Sequence, residues 1–206
     1  MAAEVLVMVP NGRHVAAAGR SSARWLFLCA ALIAIGGGLL IASADGVPAV
    51  AVTETGGVYT VSASFAVHES PQTVIDVLTD YDRIPKFMPD VQVSRVIERT
   101  SNGAVVEQQA VSRFMLFSKA VHLLLDVQEN GHAIRFRDRS GKSFVSYQGG
   151  WNISEHDSMT VVDYHLAAKP TFDVPAFVLK RLLKRDSALL IDRIKAEITL
   201  RENLRK

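Results

Sequence analysis

The period of the apolar positions changes repeatedly along this 206-residue chain, and each change marks the start of a different element. Tyr59, Val61, Ala63, Phe65 and Val67 alternate with Thr60, Ser62, Ser64 and Ala66, the period of a half-buried strand. At Ser70-Pro71 the pattern breaks: serine caps free amides and proline is preset for the first helical turn. Val74, Leu78 and Tyr81 then recur at helical spacing with Ile75 and Val77 beside them, predicting a short amphipathic helix. Pro85 and Pro89 stop it, so Tyr81 to Pro89 is expected to be a second helical turn or a structured loop. Six strands are predicted next: Val91 to Glu98, Ala104 to Arg113, Lys119 to Gln128, Ala133 to Asp138, Ser143 to Ile153 and Met159 to Ala168. Asn102-Gly103, Asn130-Gly131, Ser140-Gly141 and His156-Asp157 separate them, residues that tolerate tight reversals, so the strands form an antiparallel meander. Pro170 ends the last strand, Asp173 is a candidate cap, and Pro175 opens a helix reaching about Glu202. Leu179, Leu183, Leu190, Ile194 and Ile198 make one stripe of it, widened by Phe177, Val178 and Leu182. At 1.5 Å per residue this helix is roughly 40 Å long.

Before these elements lies a different pattern. Arg13, Arg20 and Arg24 precede the apolar run Trp25 to Ala44, and Ala42-Ser43-Ala44 carries the small residues that a signal peptidase needs. Residues 1–44 are therefore expected to be an export leader, with a mature chain from Asp45 in a bacterial periplasm or cell envelope. The run is also nearly long enough for an uncleaved membrane anchor, though Gly36 to Gly38 weaken a spanning helix. Translation starting at Met8 would shorten the leader. Asp45 to Gly57 reads as a mobile lead-in, and 58–202 as one domain.

Charge and cysteine content narrow the function. The leader holds three of the 23 basic residues and one of the 21 acidic ones, which leaves 20 of each and no net charge. A nucleic-acid partner is therefore not expected, since such binders carry a strong basic excess. The only cysteine, Cys29, lies in the leader, so the domain folds without a disulfide and has no thiol chemistry. Nothing after residue 45 is long and apolar enough to span a bilayer as a helix.

A strand, short helices, a long meander and a long terminal helix have one economical arrangement, with the sheet curled around the apolar stripe of that helix. The segment SPQTVIDVLTDYDRIPKFMPDVQVSRVIER (70–99), with Phe87 between Pro85 and Pro89, resembles the opening of the START-like superfamily. That superfamily includes polyketide cyclase/dehydrase-type domains and coenzyme Q-binding START proteins. Gly149-Gly150-Trp151 resembles the glycine-x-tryptophan strand of the same group, and the likeness extends over about residues 58–200. The resemblance implies an α+β helix-grip fold of the START or Bet v 1 type. Its curved antiparallel sheet wraps around the C-terminal helix, with two short helices after the first strand. It also implies a hydrophobic ligand cavity, without implying catalysis.

Parity and that resemblance together make Tyr147, Gly149, Trp151 and Ile153 interior, and likewise Val162, Tyr164 and Leu166. With Val121, Leu123, Leu125, Phe172 and Phe177 they form the expected wall, against ordinary core packing as the alternative. Buried phenol and indole groups seek polar partners, which a ligand carbonyl can supply. The pair Gly149-Gly150 permits a sharp bend or close ligand approach. Arg113-Phe114-Met115-Leu116-Phe117-Ser118-Lys119 sets four large apolar residues between two bases at a strand connection, where polar residues are usual. Phe114, Met115 and Phe117 are candidate ligand contacts, while Arg113, Leu116 and Lys119 suit a membrane surface; packing against the helices is the alternative. Phe87 and Met88 are assigned to the opposite rim. Lys180, Arg181, Lys184 and Arg185 form two neighbouring columns of charge on the terminal helix, suited to anionic lipid or to water.

No metal-ligand spacing, nucleophile elbow or phosphate loop is present in the sequence, and no cofactor or metal is expected. Asp163 and His165 share a strand face, but by parity it points outward. The leading expectation is non-enzymatic binding or transport of a hydrophobic small molecule or lipid, with peripheral membrane contact. A cyclase, aromatase or dehydratase using Tyr147 or Tyr164, and an envelope protein-interaction module, are the alternatives.

Overall fold

The computed structural model describes residues 49–206, apart from Met115 and Leu116 and the side chains of residues 112–118. Strand β1 (Ala49–Thr55) turns into β2 (Val58–Val67), followed by α1 (Pro71–Leu78), a 3-10 turn (Tyr81–Arg83) and α2 (Ile84–Phe87). The meander comprises β3 (Val91–Thr100), β4 (Gly103–Phe114), β5 (Phe117–Asn130), β6 (Ala133–Asp138), β7 (Phe144–His156) and β8 (Met159–Pro170), and α3 (Ala176–Arg205) closes the chain. Among the described residues these strands form one antiparallel sheet in the order β1-β2-β8-β7-β6-β5-β4-β3.

The stretch read as a mobile lead-in is ordered from Ala49 as an edge strand, which corrects that expectation. Val50 and Val52 alternate toward the interior, and Gly56 and Gly57, at φ +60° and +80°, make the two-residue reversal that matches strand twist. The amide of Gly57 donates to the Glu54 carboxylate at 2.9 Å and closes the turn. The two short helices consequently follow the second strand of the domain.

Helix α1 starts where the sequence indicates. The Ser70 hydroxyl accepts from the Thr73 amide at 3.2 Å, and Pro71 occupies the first turn. The start of α3 differs: Pro175 is its N-cap and no side chain caps it, so Asp173 does not serve there. Val61, Val106 and Val162 from the sheet, Val74 and Val77 from α1, and Ile191 and Ile198 from α3 are almost wholly buried and join in one core. That core fills one end of the domain. The other end, toward Ala110 of β4, Lys119 of β5 and the start of α3, is left for a cavity.

Candidate functional site

Between the inner face of the sheet, α2 and the first half of α3 lies a cavity of about 580 Å³. Inward alternation on β5 contributes Val121, Leu123, Leu125 and Val127, and the same alternation supplies Tyr147 and Trp151 on β7 and Tyr164 and Leu166 on β8. Phe87 lines it from α2, Met88 and Phe172 from the connections, and Val178, Leu179, Leu182 and Leu183 from α3. A space of this volume, walled mainly by apolar and aromatic side chains, has the dimensions of a small-molecule site.

The aromatic side chains of β7 and β8 brace one another. Trp151 and Tyr164 are register partners with ring centroids 4.4 Å apart, and Tyr147 packs on Phe144 at 4.9 Å and on Phe136 at 5.9 Å. Burial pushes the Tyr147 phenol up to about 12, with the charge of Asp138 adding to it. Tyr164 is raised well above its ordinary value by burial and then by its proximity to Tyr147. Tyr81, also in the wall, is raised by burial and by donating to the Glu129 carboxylate at 2.8 Å. All three are protonated hydrogen-bond donors at neutral pH.

The structure therefore gathers Phe87, Met88, Leu123, Tyr147, Trp151, Tyr164 and Phe172 around one space. Phe177 is not among them: it is 75% exposed, which corrects its assignment to the wall. Helical phase explains this, because α3 turns Val178, Leu179 and Leu182 inward and leaves Phe177 outward with Arg181 and Lys184. Lys119 sits at the mouth with its ammonium 4.8 Å over the Phe172 ring. Lys180 is half-buried, and Arg181 and Lys184 are exposed. Met115 and Leu116 lie outside the described residues, as do the side chains of Arg113, Phe114 and Phe117. Asp163 and His165 point outward, as their parity requires.

Sequence reasoning missed Gln108 on β4 and Asp186 and Ser187 on α3, all in the wall. The signal for the last two was present: the stripe runs from Leu183 to Leu190 without an apolar residue at the intervening 186 and 187 positions. A polar break in a core-facing stripe marks where the helix meets a cavity and not a packed sheet. Among the described residues no group of His, Cys, Asp or Glu is arranged to hold a metal ion, and no helix is long and apolar enough to cross a membrane.

A family model described as polyketide cyclase / dehydrase and lipid transport matches residues 67–195. The chain belongs to this family. Among curated proteins none matches its sequence. A START superfamily protein from Mycobacterium smegmatis is similar in structure, with a TM-score of 0.59 at 15% identity over 68% of this chain and 97% of that one. An aromatase/cyclase from Streptomyces sp. R1128 gives 0.56 at 14% identity, over 70% and 95% of the two chains. Human STARD10 gives 0.56 at 18% identity, over 73% of each. At these identities the likeness shows the START helix-grip fold, the one that the sequence resemblance implied. The polyketide cyclase family description covers both cyclase or dehydrase chemistry and lipid transport. Hydrophobic ligand binding or aromatase/cyclase activity is accordingly what this fold suggests.

Proposed function

We propose that this chain binds and carries a hydrophobic small molecule in the cavity, without transforming it, outside the cytoplasm and beside a membrane. The observation that carries this reading is an apolar space of about 580 Å³ whose interior phenols are held protonated. A general acid or base works best with a pKa near the operating pH. The Tyr147 and Tyr164 hydroxyls are displaced from that range, so they suit binding better than proton transfer. Burying ~500 Å² of apolar ligand surface at ~25 cal/mol/Å² yields on the order of 12 kcal/mol before the costs of association. Apolarity and shape alone can therefore retain a ligand. The likeness to an aromatase/cyclase favours cyclisation or dehydration as the second reading. Turnover abolished by Tyr147→Phe or Tyr164→Phe with binding preserved would support that reading.

The rim supports membrane contact. Phe177 projects from the first turn of α3 beside Pro175 and Val178 of the cavity wall, and Lys180, Arg181 and Lys184 follow on the same helix. An exposed aromatic next to positive charge matches an anionic interface, where the ring enters the head-group region and the cations meet phosphate. The reading of residues 1–44 as an export leader supports a location in the envelope.

Transfer of a neutral apolar fluorophore between vesicles tests the proposal. The protein is expected to accelerate transfer from vesicles rich in anionic lipid, less so at high salt, with K180Q/R181Q/K184Q and Phe177→Ser each lowering the rate several-fold. Acceleration that ignores lipid charge and both variants would contradict docking through this rim; no acceleration from any vesicle would contradict carriage.

A further inference from the structure

We infer that the cavity selects a neutral, oxygen-bearing apolar ligand, whose carbonyl or hydroxyl oxygen is hydrogen-bonded by the Tyr147 or the Tyr164 side chain, over the matching carboxylate. The inference rests on the cavity reading above and specifies its ligand class.

Tyr164 is 5% exposed and Trp151, stacked on it, 8%. Tyr147 lies four residues along β7 from Trp151, toward the mouth, with its ring fixed between Phe144 and Phe136. Among the described residues neither tyrosine hydroxyl has a hydrogen-bond partner, and the only sealed side-chain nitrogen or oxygen without one is a guanidinium nitrogen of Arg201, outside this cavity. Both hydroxyls therefore open onto the cavity itself. The register sets them four positions apart along β7 and β8, so each offers its own donor along the cavity wall. A buried phenol without a partner is costly, so an oxygen acceptor brought by the ligand recovers what the protein leaves unsatisfied.

The surrounding charges decide what kind of oxygen. Asp138, at the end of β6, bears on Tyr147 as a negative charge; its carboxylate accepts from the Leu124 amide at 2.9 Å and from Ser140. Among the described residues of the wall the one cation is Lys119, which lies at the mouth against Phe172. A carboxylate at the tyrosine pair would be desolvated, opposed by Asp138 and without a counter-ion, which is strongly unfavourable. A ketone, aldehyde, ester or alcohol oxygen meets a phenol donor at no such cost. The remainder of the ligand then lies along the apolar wall.

Competition against N-phenyl-1-naphthylamine, an uncharged fluorophore, tests this with hexadecane, 2-hexadecanone and hexadecanoate as competitors. The ketone is expected to displace the fluorophore at roughly tenfold lower concentration than the alkane or the carboxylate, the effect of about one hydrogen bond. Tyr147→Phe/Tyr164→Phe, which keeps both rings, should abolish that preference, read as the ratio of ketone to alkane potency measured within the variant. Equal potency of ketone and alkane on the unaltered protein, tightest binding of the carboxylate, or a ketone preference surviving in the double variant would each overturn the inference. Failure of the fluorophore itself to bind would overturn the cavity reading, and the inference with it.

Discussion

Gly149 sets the shape of the cavity wall through the side chain it lacks. A Cβ there would collide with the His165 carbonyl across β8 and come within 2.8 Å of the Phe136 ring, the ring on which Tyr147 packs. Gly149→Ala should therefore destabilise the domain by about 1–3 kcal/mol, the usual cost of overpacking, measured as a lowered urea midpoint. A midpoint equal to that of the unaltered protein would contradict this account of the wall. Sequence alone shows that a glycine pair in a strand has a reason but not which reason: a bend, ligand approach and cross-strand packing leave the same mark. Only the register, which sets Gly149 opposite Phe136 and Gly150 opposite Arg135, separates them. Phe177 carries a similar lesson. Its type suits an interior wall, and a rotation of one residue around α3 sends it outward.

Helices α1 and α3 are joined by charge at the end away from the cavity. The Arg201 guanidinium pairs with Asp80 at 3.0 Å and Glu197 at 2.8 Å and donates to the Asp76 carbonyl at 3.1 Å, while Arg205 pairs with Asp76 at 2.6 Å. Burial alone would raise the Asp76 carboxyl, but hydrogen bonds from Arg205 and Gln72 outweigh it and hold the group below its ordinary value of 3.8. The folded state thus takes up this proton less readily than the unfolded chain. The stabilisation is present above pH 3.8 and is lost as pH falls from there through the folded value. Urea midpoints measured at about pH 5 and about pH 3 should fall on acidification, and fall less in Arg205→Met. An equal fall in both proteins would contradict the assignment. At this scale the sequence was largely legible, because strand alternation, the Ser70-Pro71 cap and the paired turn residues are local signals. Strand β1 was not: Gly56-Gly57 reads as flexibility until a partner strand on either side makes it a hairpin.

For the whole molecule, order of elements sufficed to predict a sheet curled around a terminal helix, and the family match and structural likenesses agree with it. The empty volume was not legible in the same way. Periodicity tells which side chains face inward, but whether facing side chains meet depends on sheet curvature and on how far α3 stands off. Here they pack fully around Ile191 and Ile198, while Leu183 and Leu190, only partly buried, border the space of about 580 Å³ that stays open. That division, a filled end joined by charge and an open end lined by aromatics, is the basis of the proposed carrier role. The most direct test is native mass spectrometry of the protein purified from a bacterial host, followed by organic extraction and mass analysis of whatever is released. One equivalent of a neutral apolar molecule is the predicted result. A protein that emerges empty and takes up nothing from a mixed lipid extract would contradict the account.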